Sequence, residues 1–292
     1  MTWVPSTYDP ALNLMYFGTG NPQPVIAGQG RAGSNLYTES IVALNPDTGK
    51  LAWYFQPSPH DTHDWDAVQT PVLFDGEIDG KPRKLLAQAS RNGWFFVLDR
   101  MTGEHILSSE FVPTNWSLGV DRQGKPIPNL AKQPKPAGAL VSPNQFGAIN
   151  WPPPSYSPDT GLFYANSARA WSMYYLYDED DKPEGWGGND RSGYAEAMLQ
   201  AIDYKTGSIR WSHRWPSEGP GVRSGVLSTA GGLLFAADTN SNLVALDAAN
   251  GNPLWHAGLH APMTNGPITY ELDGSQYVVI GAGDTLYAFT IR

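Results

Sequence analysis

An eleven-residue string recurs along this chain with a fixed internal order, and that recurrence restricts the fold more than any single motif. The copies read ALNPDTGKLAW from Ala43 to Trp53, AIDYKTGSIRW from Ala201 to Trp211 and ALDAANGNPLW from Ala245 to Trp255, with a weaker copy, VLDRMTGEHIL, from Val97 to Leu107. Each holds a small apolar residue, the end of an alternating strand, an Asp or Asn, a Thr-Gly or Asn-Gly turn and a second strand carrying a large apolar residue. That is the signature of a β-hairpin. The copies begin at positions 43, 97, 201 and 245, so the steps are 54, 104 and 44 residues. The middle step is about twice the repeat of a four-stranded propeller blade, which predicts a degenerate copy between Leu107 and Ala201.

A period of this size implies an array of supersecondary units, each burying its apolar face only against the next. The spaces between copies are filled by strand signals such as LMYFGTG, KLLAQAS, GWFFVLD, GLFYANS and GLLFAAD, rich in β-branched and aromatic residues and bounded by Gly, Pro, Asn or Asp. No long stretch has helical periodicity. The expectation is an all-β propeller of four-stranded blades with tryptophan-docking repeats, residues 1–292 forming a single, partial propeller domain. A β-sandwich shares short strands and turns but has no reason to repeat a Trp-terminated hairpin at blade spacing. About five blade-sized segments can be marked, at 1–57, 58–112, 113–215, 216–258 and 259–292. The third is lengthened by the stretch between Trp116 and Asn150 and by YDEDDKPEGWGGNDRSG, both read as Pro- or Gly-rich loops. Trp53, Trp211 and Trp255 end the repeats and are expected to be buried at blade contacts.

Composition narrows the function classes. A formal net charge of −9 over 292 residues argues against nucleic acid or an anionic membrane as partner. No apolar run reaches the length of a membrane span. The absence of Cys excludes disulfides, iron–sulfur clusters and thiol catalysis, and leaves the compartment open. The opening MTWVPSTYDPALNL has no basic region followed by an apolar core, so no secretory signal is expected in it.

Three strings concentrate the chemistry. In PHDTHDWDA, an extended HDWDA would set Asp64 and Asp66 on one face and Trp65 on the other. Two adjacent carboxylates repel unless a cation lies between them or one is protonated. A solvated acidic turn is the alternative, weakened by the dense flanking set His60, Asp61 and His63. In YFGTGNP, Gly18 and Gly20 permit close backbone approach, and the Asn21 amide oxygen is a hard ligand suited to calcium-like ions, or else the string is an ordinary strand-end turn. In ASRNGWFFVLD, Arg91 leads into a strand and could hold an anionic or carbonyl-rich ligand, though Arg-Asn-Gly alone is only a turn.

Together with YDPALNLMYFGTGNP, SIVALNPDTGKLAW, NWPPPSYSP and SGVLSTAGGLLF, these strings resemble the quinoprotein alcohol dehydrogenases of the methanol/ethanol dehydrogenase family. The resemblance covers essentially the whole chain and implies an eight-bladed propeller, of which this chain would be the carboxy-terminal half to five-eighths. It implies pyrroloquinoline quinone (PQQ) and a calcium or lanthanide ion on the propeller axis. Residue by residue, Asn21 matches a metal-ligand Asn and Asp64 the Asp proposed as general base and metal ligand. Asp66 matches the extra carboxylate of the lanthanide-using branch, and Arg91 the Arg that hydrogen-bonds the quinone oxygens. Trp3 falls where a Trp stacks under the PQQ ring, and Asn150 and Trp151 match a cofactor-contacting pair.

The departures from the family pattern lie upstream of Trp3: a glutamate metal ligand, an adjacent-cysteine disulfide ring and several PQQ carboxylate contacts have no counterpart here. The resemblance implies oxidation of a small primary alcohol to aldehyde by hydride transfer to PQQ. It also implies a cytochrome c-type electron acceptor, a periplasmic location and completion of the site by an amino-terminal half or by self-association. The rival class is a non-catalytic scaffold of PQQ-type repeats used in protein assembly, which has no reason to keep Trp3, Asn21, Asp64, Asp66 and Arg91 together.

Overall fold

The computed structural model describes residues 2–177, 185–218 and 224–290. Among these residues there is no α-helix, only two short 3₁₀ turns, and hence no helix long and apolar enough to cross a membrane. The first sheet orders β1 (Thr7–Asp9), β2 (Leu14–Gly18), β3 (Ile41–Leu44) and β4 (Leu51–Phe55) as an antiparallel meander. The second does the same with β5 (Val72–Ile78), β6 (Lys81–Ala89), β7 (Trp94–Asp99) and β8 (His105–Glu110). After a separate pair, β9 (Ser117–Val120) and β10 (Pro126–Pro128), come β11 (Ala139–Val141), β12 (Ser155–Ser157) and the long β13 (Leu162–Leu176), β14 (Gly188–Asp203) and β15 (Ile209–Glu218). A fourth sheet holds β16 (Val226–Ser228), β17 (Leu233–Ala237), β18 (Asn242–Asp247) and β19 (Pro253–Gly258), and the last has three strands, β20 (Ile268–Leu272), β21 (Ser275–Ala282) and β22 (Thr285–Thr290).

The recurrent string owes its form to one local hydrogen-bond pattern. In the first copy the Asn45 side chain accepts from the N–H of Asp47 and Thr48, and Gly49, at φ +66°, donates to the Asn45 carbonyl at 2.9 Å. Asp99 and Gly103, and Asp247 and Gly251, repeat the backbone bond at 2.8 Å each, with both glycines again at positive φ. The left-handed conformation explains the glycine, and the side-chain acceptor explains the Asp or Asn. All four hairpins slip register at the same place, between Ala43 and Leu44, Val97 and Leu98, Ala201 and Ile202, and Ala245 and Leu246.

The terminal Trp of one repeat rests on the glycine turn of the next. Trp53 Nε1 donates to the Arg100 carbonyl at 3.1 Å, and Trp211 Nε1 to the Ala248 carbonyl at 3.1 Å. In the weaker copy Leu107 takes the Trp position and lies against Gly207, where Ser109 Oγ also donates to the Gly207 carbonyl at 3.0 Å. The repeats at Val97 and Ala201 are therefore immediate neighbours, and no degenerate copy intervenes. The additional length is taken up by β9, β10 and the extended β13 and β14. Of the expected loop YDEDDKPEGWGGNDRSG, residues 178–184 lie outside the described residues, and from Gly188 onward it is strand β14. Trp53 is buried as expected and Trp211 partly so, but Trp255 is 42% exposed. The cause is structural: β20–β22 is a three-stranded sheet, and among the described residues no hairpin turn follows β22 to receive the indole, which touches Phe289 edge-on at 5.3 Å.

The chain forms two compact units. One comprises residues 1–151, 169–195 and 205–207, with a core that includes Tyr16, Ile41, Trp53, Trp65, Phe96, Trp116 and Tyr174. The other comprises 152–168, 196–204 and 208–292, with Tyr164, Leu199, Trp215, Leu234 and Leu246 in one cluster and Phe235, Leu243, Met263 and Ile280 in another.

Candidate functional site

All the candidate site residues lie in the first unit, and their placement begins with a close backbone approach. A Cβ on Gly18 would stand 1.7 Å from the Ala67 carbonyl oxygen, so only glycine lets the end of β2 meet the 66–67 segment. Ala67 N donates to the Thr19 carbonyl at 3.1 Å, and Asn21 N donates to Asp66 Oδ1 at 2.9 Å. Asn21 is thereby fixed beside Asp66.

Residues 61–66 form a turn, not the extended segment expected. Asp61 Oδ2 accepts from the N–H of His63 (3.1 Å), Asp64 (2.7 Å) and Trp65 (3.2 Å), and Asp64 has φ +69°. Three N–H groups on one carboxylate oxygen hold this left-handed residue in place. Trp65 is fully buried and donates from Nε1 to the Asn144 carbonyl at 2.9 Å. His63 stacks on it at 4.4 Å and 15°, and Tyr174 Oη donates to the His63 carbonyl at 3.1 Å. The two aspartates share a neighbourhood because the bonds to Asp61 bend the backbone between them, not because of strand alternation.

Arg91, in the turn before β7, supplies the cation between them. Its Nη1 pairs with Asp66, and its Nη2 lies 3.5 Å from Asp64 Oδ2 and donates to the Gln145 carbonyl. Gln145 Nε2 donates to Asp64 Oδ2 at 3.1 Å. Behind the arginine, Ala148 N donates to its carbonyl at 2.8 Å, and Gly147, at φ +81°, packs so closely that a Cβ would meet Arg91 atoms at 2.7–2.9 Å. Burial pushes the Asp64 carboxyl up to about 7; Arg91 opposes the shift, and the charges of Asp66 and Asp61 add to it. Asp66 is raised by burial as well, against Arg91 and the Asn21 N–H. Burial alone would raise Asp61 too, yet its hydrogen bonds to His63 and to backbone N–H groups bring it below its ordinary value.

Asn21, Asp64, Asp66 and Arg91 are thus joined by hydrogen bonds and ion pairs, and Trp3, Asn150 and Trp151 share none of these bonds. Trp3 and Trp151 expose 47% and 54% of their surfaces. The Asn150 side chain is spent locally, donating to the Phe146 carbonyl at 2.8 Å and accepting from Trp151 N at 3.0 Å. Among the described residues no three His, Asp or Glu side chains are already arranged around a common point as a metal cage.

The sequence matches the family described as PQQ glucose/ethanol/alcohol dehydrogenase, beta-propeller domain, over residues 1–118 and 197–278. The chain belongs to this PQQ dehydrogenase family. It is 38% identical over 303 residues to the quinohemoprotein alcohol dehydrogenase of Comamonas testosteroni, covering 96% of this chain and 42% of that protein. It is 37% identical over 295 residues to quinoprotein alcohol dehydrogenase PedH of Pseudomonas putida, covering 96% and 49%. The crystal structure of the Comamonas enzyme superposes with a TM-score of 0.88 at 36% identity, over 97% of this chain and 44% of that one. A europium-containing methanol dehydrogenase superposes at 0.86 with 33% identity, over 96% and 50%. The chain spans half or less of the length of these relatives, and its fold is that of the family's β-propeller.

Within this PQQ dehydrogenase chain, sequence reasoning missed two neighbours of the cluster. Gln145 sits in a stretch read only as an insertion, with no motif to mark it. Glu39 reads as a polar position ahead of a strand, yet it is completely buried and neither of its carboxyl oxygens has a hydrogen-bond partner.

Proposed function

We propose that this chain contributes the PQQ- and metal-binding part of a quinoprotein alcohol dehydrogenase that oxidises a primary alcohol to the aldehyde. The observation that carries the reading is the meeting of Asp64, Asp66 and Arg91, from two separate turns, in one cluster in which Asp66 and Arg91 are buried. A repeat scaffold needs no such cluster. The relatives' names point the same way; one is a 1-butanol dehydrogenase (cytochrome c), 35% identical over 276 residues. We assign a cytochrome c-type acceptor on that basis, and a periplasmic setting on the family resemblance.

The residues fit the implied groups. Two neighbouring aspartates, one of them brought to about 7 by burial, are what a cation-binding pocket shows before its charge is balanced. The donors are hard oxygens, suited to calcium or a lanthanide. When bound, PQQ supplies the carbonyl that accepts hydride, and the metal ion acts as Lewis acid beside it. Asn21, Asp64 and Asp66 would hold the ion, and the Arg91 guanidinium would orient carbonyl oxygens of the cofactor. The exposed rings of Trp3 and Trp151 offer flat surfaces to a planar ligand, with Asn150 fixing the backbone of Trp151. Asp64, once ionised, takes the proton of the alcohol hydroxyl, and the Asp61 turn and Gln145 keep its carboxylate aimed.

The relatives are about twice as long, so the remainder of the pocket would come from sequence outside the matched half. The test is PQQ and cation binding by this chain, followed by dye-linked alcohol oxidation alone and with an amino-terminal half of a related enzyme. Asp64→Asn is expected to weaken cation binding and to lower turnover in the complemented enzyme by at least about a hundredfold. An Arg91→Met or Asp64→Asn protein that behaves as wild type in both assays would sink the assignment.

A further inference from the structure

We propose that copies of this chain bind one another head-to-tail, the outer face of the β20–β22 sheet of one copy seating on the β9–β11 region of the next. The first face follows from strand register. Ile268 pairs with Val279, Tyr270 with Tyr277, Leu272 with Ser275 and Gly281 with Leu286, and paired residues share a side of the sheet. The opposite side carries Val278, Ile280 and Ala282, which pack with Phe235 and Leu243 in the core. An antiparallel sheet with one face in the core ordinarily turns polar residues outward. Here the outward side presents Ile268, Tyr270, Leu272 and Leu286, all exposed, Leu286 by 74%.

The second face belongs to the stretch between the second and third blade sheets. β9 and β10 pair Ser117 with Pro128 and Val120 with Pro126, which sets Leu118 beside Ile127. Asn129 N donates to the Trp116 carbonyl at 2.6 Å, and its Nδ2 to the Asn115 carbonyl at 3.1 Å. Asn115 Nδ2 and Lys132 Nζ in turn donate to the Leu140 carbonyl at 3.1 and 3.2 Å. These bonds hold Leu130 and Leu140 near the β9–β10 pair, and all four apolar side chains are exposed, Leu130 by 74%. Apolar patches of this kind, rimmed by charge, mark association surfaces.

Charge selects the pairing. Residues 113–141 hold Arg122, Lys125, Lys132 and Lys135 against the single acid Asp121, whereas residues 224–290 hold five Asp or Glu and no Lys or Arg. Three of those acids edge the terminal sheet: Glu271 in β20, Asp273 in the turn before β21 and Asp284 in the turn before β22. Either face laid on its own copy sets like charges together, while the sheet face laid on the basic face pairs opposite ones. The contact is therefore heterologous, and it does not depend on the cofactor reading.

The experiment is sedimentation of the full 292-residue chain as a function of protein and salt concentration. The mass is expected to rise above the monomer with concentration, and association to weaken as salt goes from about 0.01 M to about 1 M, where the screening length falls from about 30 Å to about 3 Å. Tyr270→Ser with Leu286→Ser strips apolar area from one face, and Arg122→Glu with Lys135→Glu reverses charge on the other. Each double variant, altered at exposed positions, is expected to keep the melting profile and to weaken association by at least about tenfold. Mixed in equal amounts the two should form a dimer and nothing larger, because one intact face of each kind remains. Leu286→Ser and Arg122→Glu alone carry the same test if a double variant does not fold. A wild-type chain that stays monomeric at every concentration overturns the proposal. So does association that the sheet variant abolishes, the charge variant leaves intact and the mixture does not restore, since the sheet face then pairs with itself. A monomer whose sheet face is covered only on addition of an amino-terminal half from a related enzyme overturns it in favour of that occupant.

Discussion

The indole of Trp53 lies on Gly103, one hairpin further along the chain: a Cβ at that glycine would meet the ring at 2.7–3.0 Å. Gly103 is at φ +75°, so its lack of a side chain meets two needs, a left-handed turn and a flat seat for the ring. Tyr16 Oη also donates to the Arg100 carbonyl, at 2.9 Å, which makes the 100–103 turn a shared anchor for the first sheet.

This arrangement separates the repeat tryptophans energetically. Trp53→Ala removes a buried ring and should cost about 3–5 kcal/mol. Trp255→Ala, at a position 42% exposed, should cost under about 1 kcal/mol. Urea unfolding of the two variants measures the contrast, and equal losses would contradict the docking account.

Asp64 should make the cation-free chain less stable as the pH rises. Its carboxyl stands at about 7 in the folded chain against an ordinary 3.8, so the folded state binds the proton more tightly. Its stabilising contribution is full below about pH 4 and is lost as the pH climbs to about 7. Three units at 1.36 kcal/mol each set a ceiling of about 4 kcal/mol, reduced by the solvent and by the bonds to Arg91 and Gln145. Asp64→Asn in the presence of a chelator should therefore gain on the wild type across that window. A difference that stays flat from pH 4 to 8 would contradict the burial of a titrating carboxyl.

The Asp9–Arg100 pair should act in the opposite sense. Arg100 Nε donates to Asp9 Oδ2 at 2.6 Å, and Asp9 Oδ1 accepts from the N–H of Ala11 at 2.8 Å and Leu12 at 3.3 Å. Burial alone would raise Asp9, but these bonds bring it below its ordinary value. Its contribution is present above about pH 4 and is lost as the pH falls through the lowered value. Asp9→Asn should cost about 3 kcal/mol near neutrality, since Arg100 is left buried and half paired, and much less near pH 2. Paired melts at the two pH values check this.

The blades were legible because their grammar is local. Asp or Asn, glycine and the slipped register interact within eleven residues, and the strand segments marked from sequence coincide with the five main sheets. The convergence of Asn21, Asp64, Asp66 and Arg91 could be anticipated only through resemblance, because the bonds that unite them join residues 25 and 45 positions apart. The extended reading of HDWDA failed because Asp61 competes for three backbone N–H groups that a strand would need.

The Trp-on-turn contact is not self-complementary, since an indole on one side meets a glycine on the other. Two copies of such a surface cannot face each other across a two-fold axis, as they do in an isologous dimer. Each such contact therefore has a direction, from an indole to a glycine turn later in the chain.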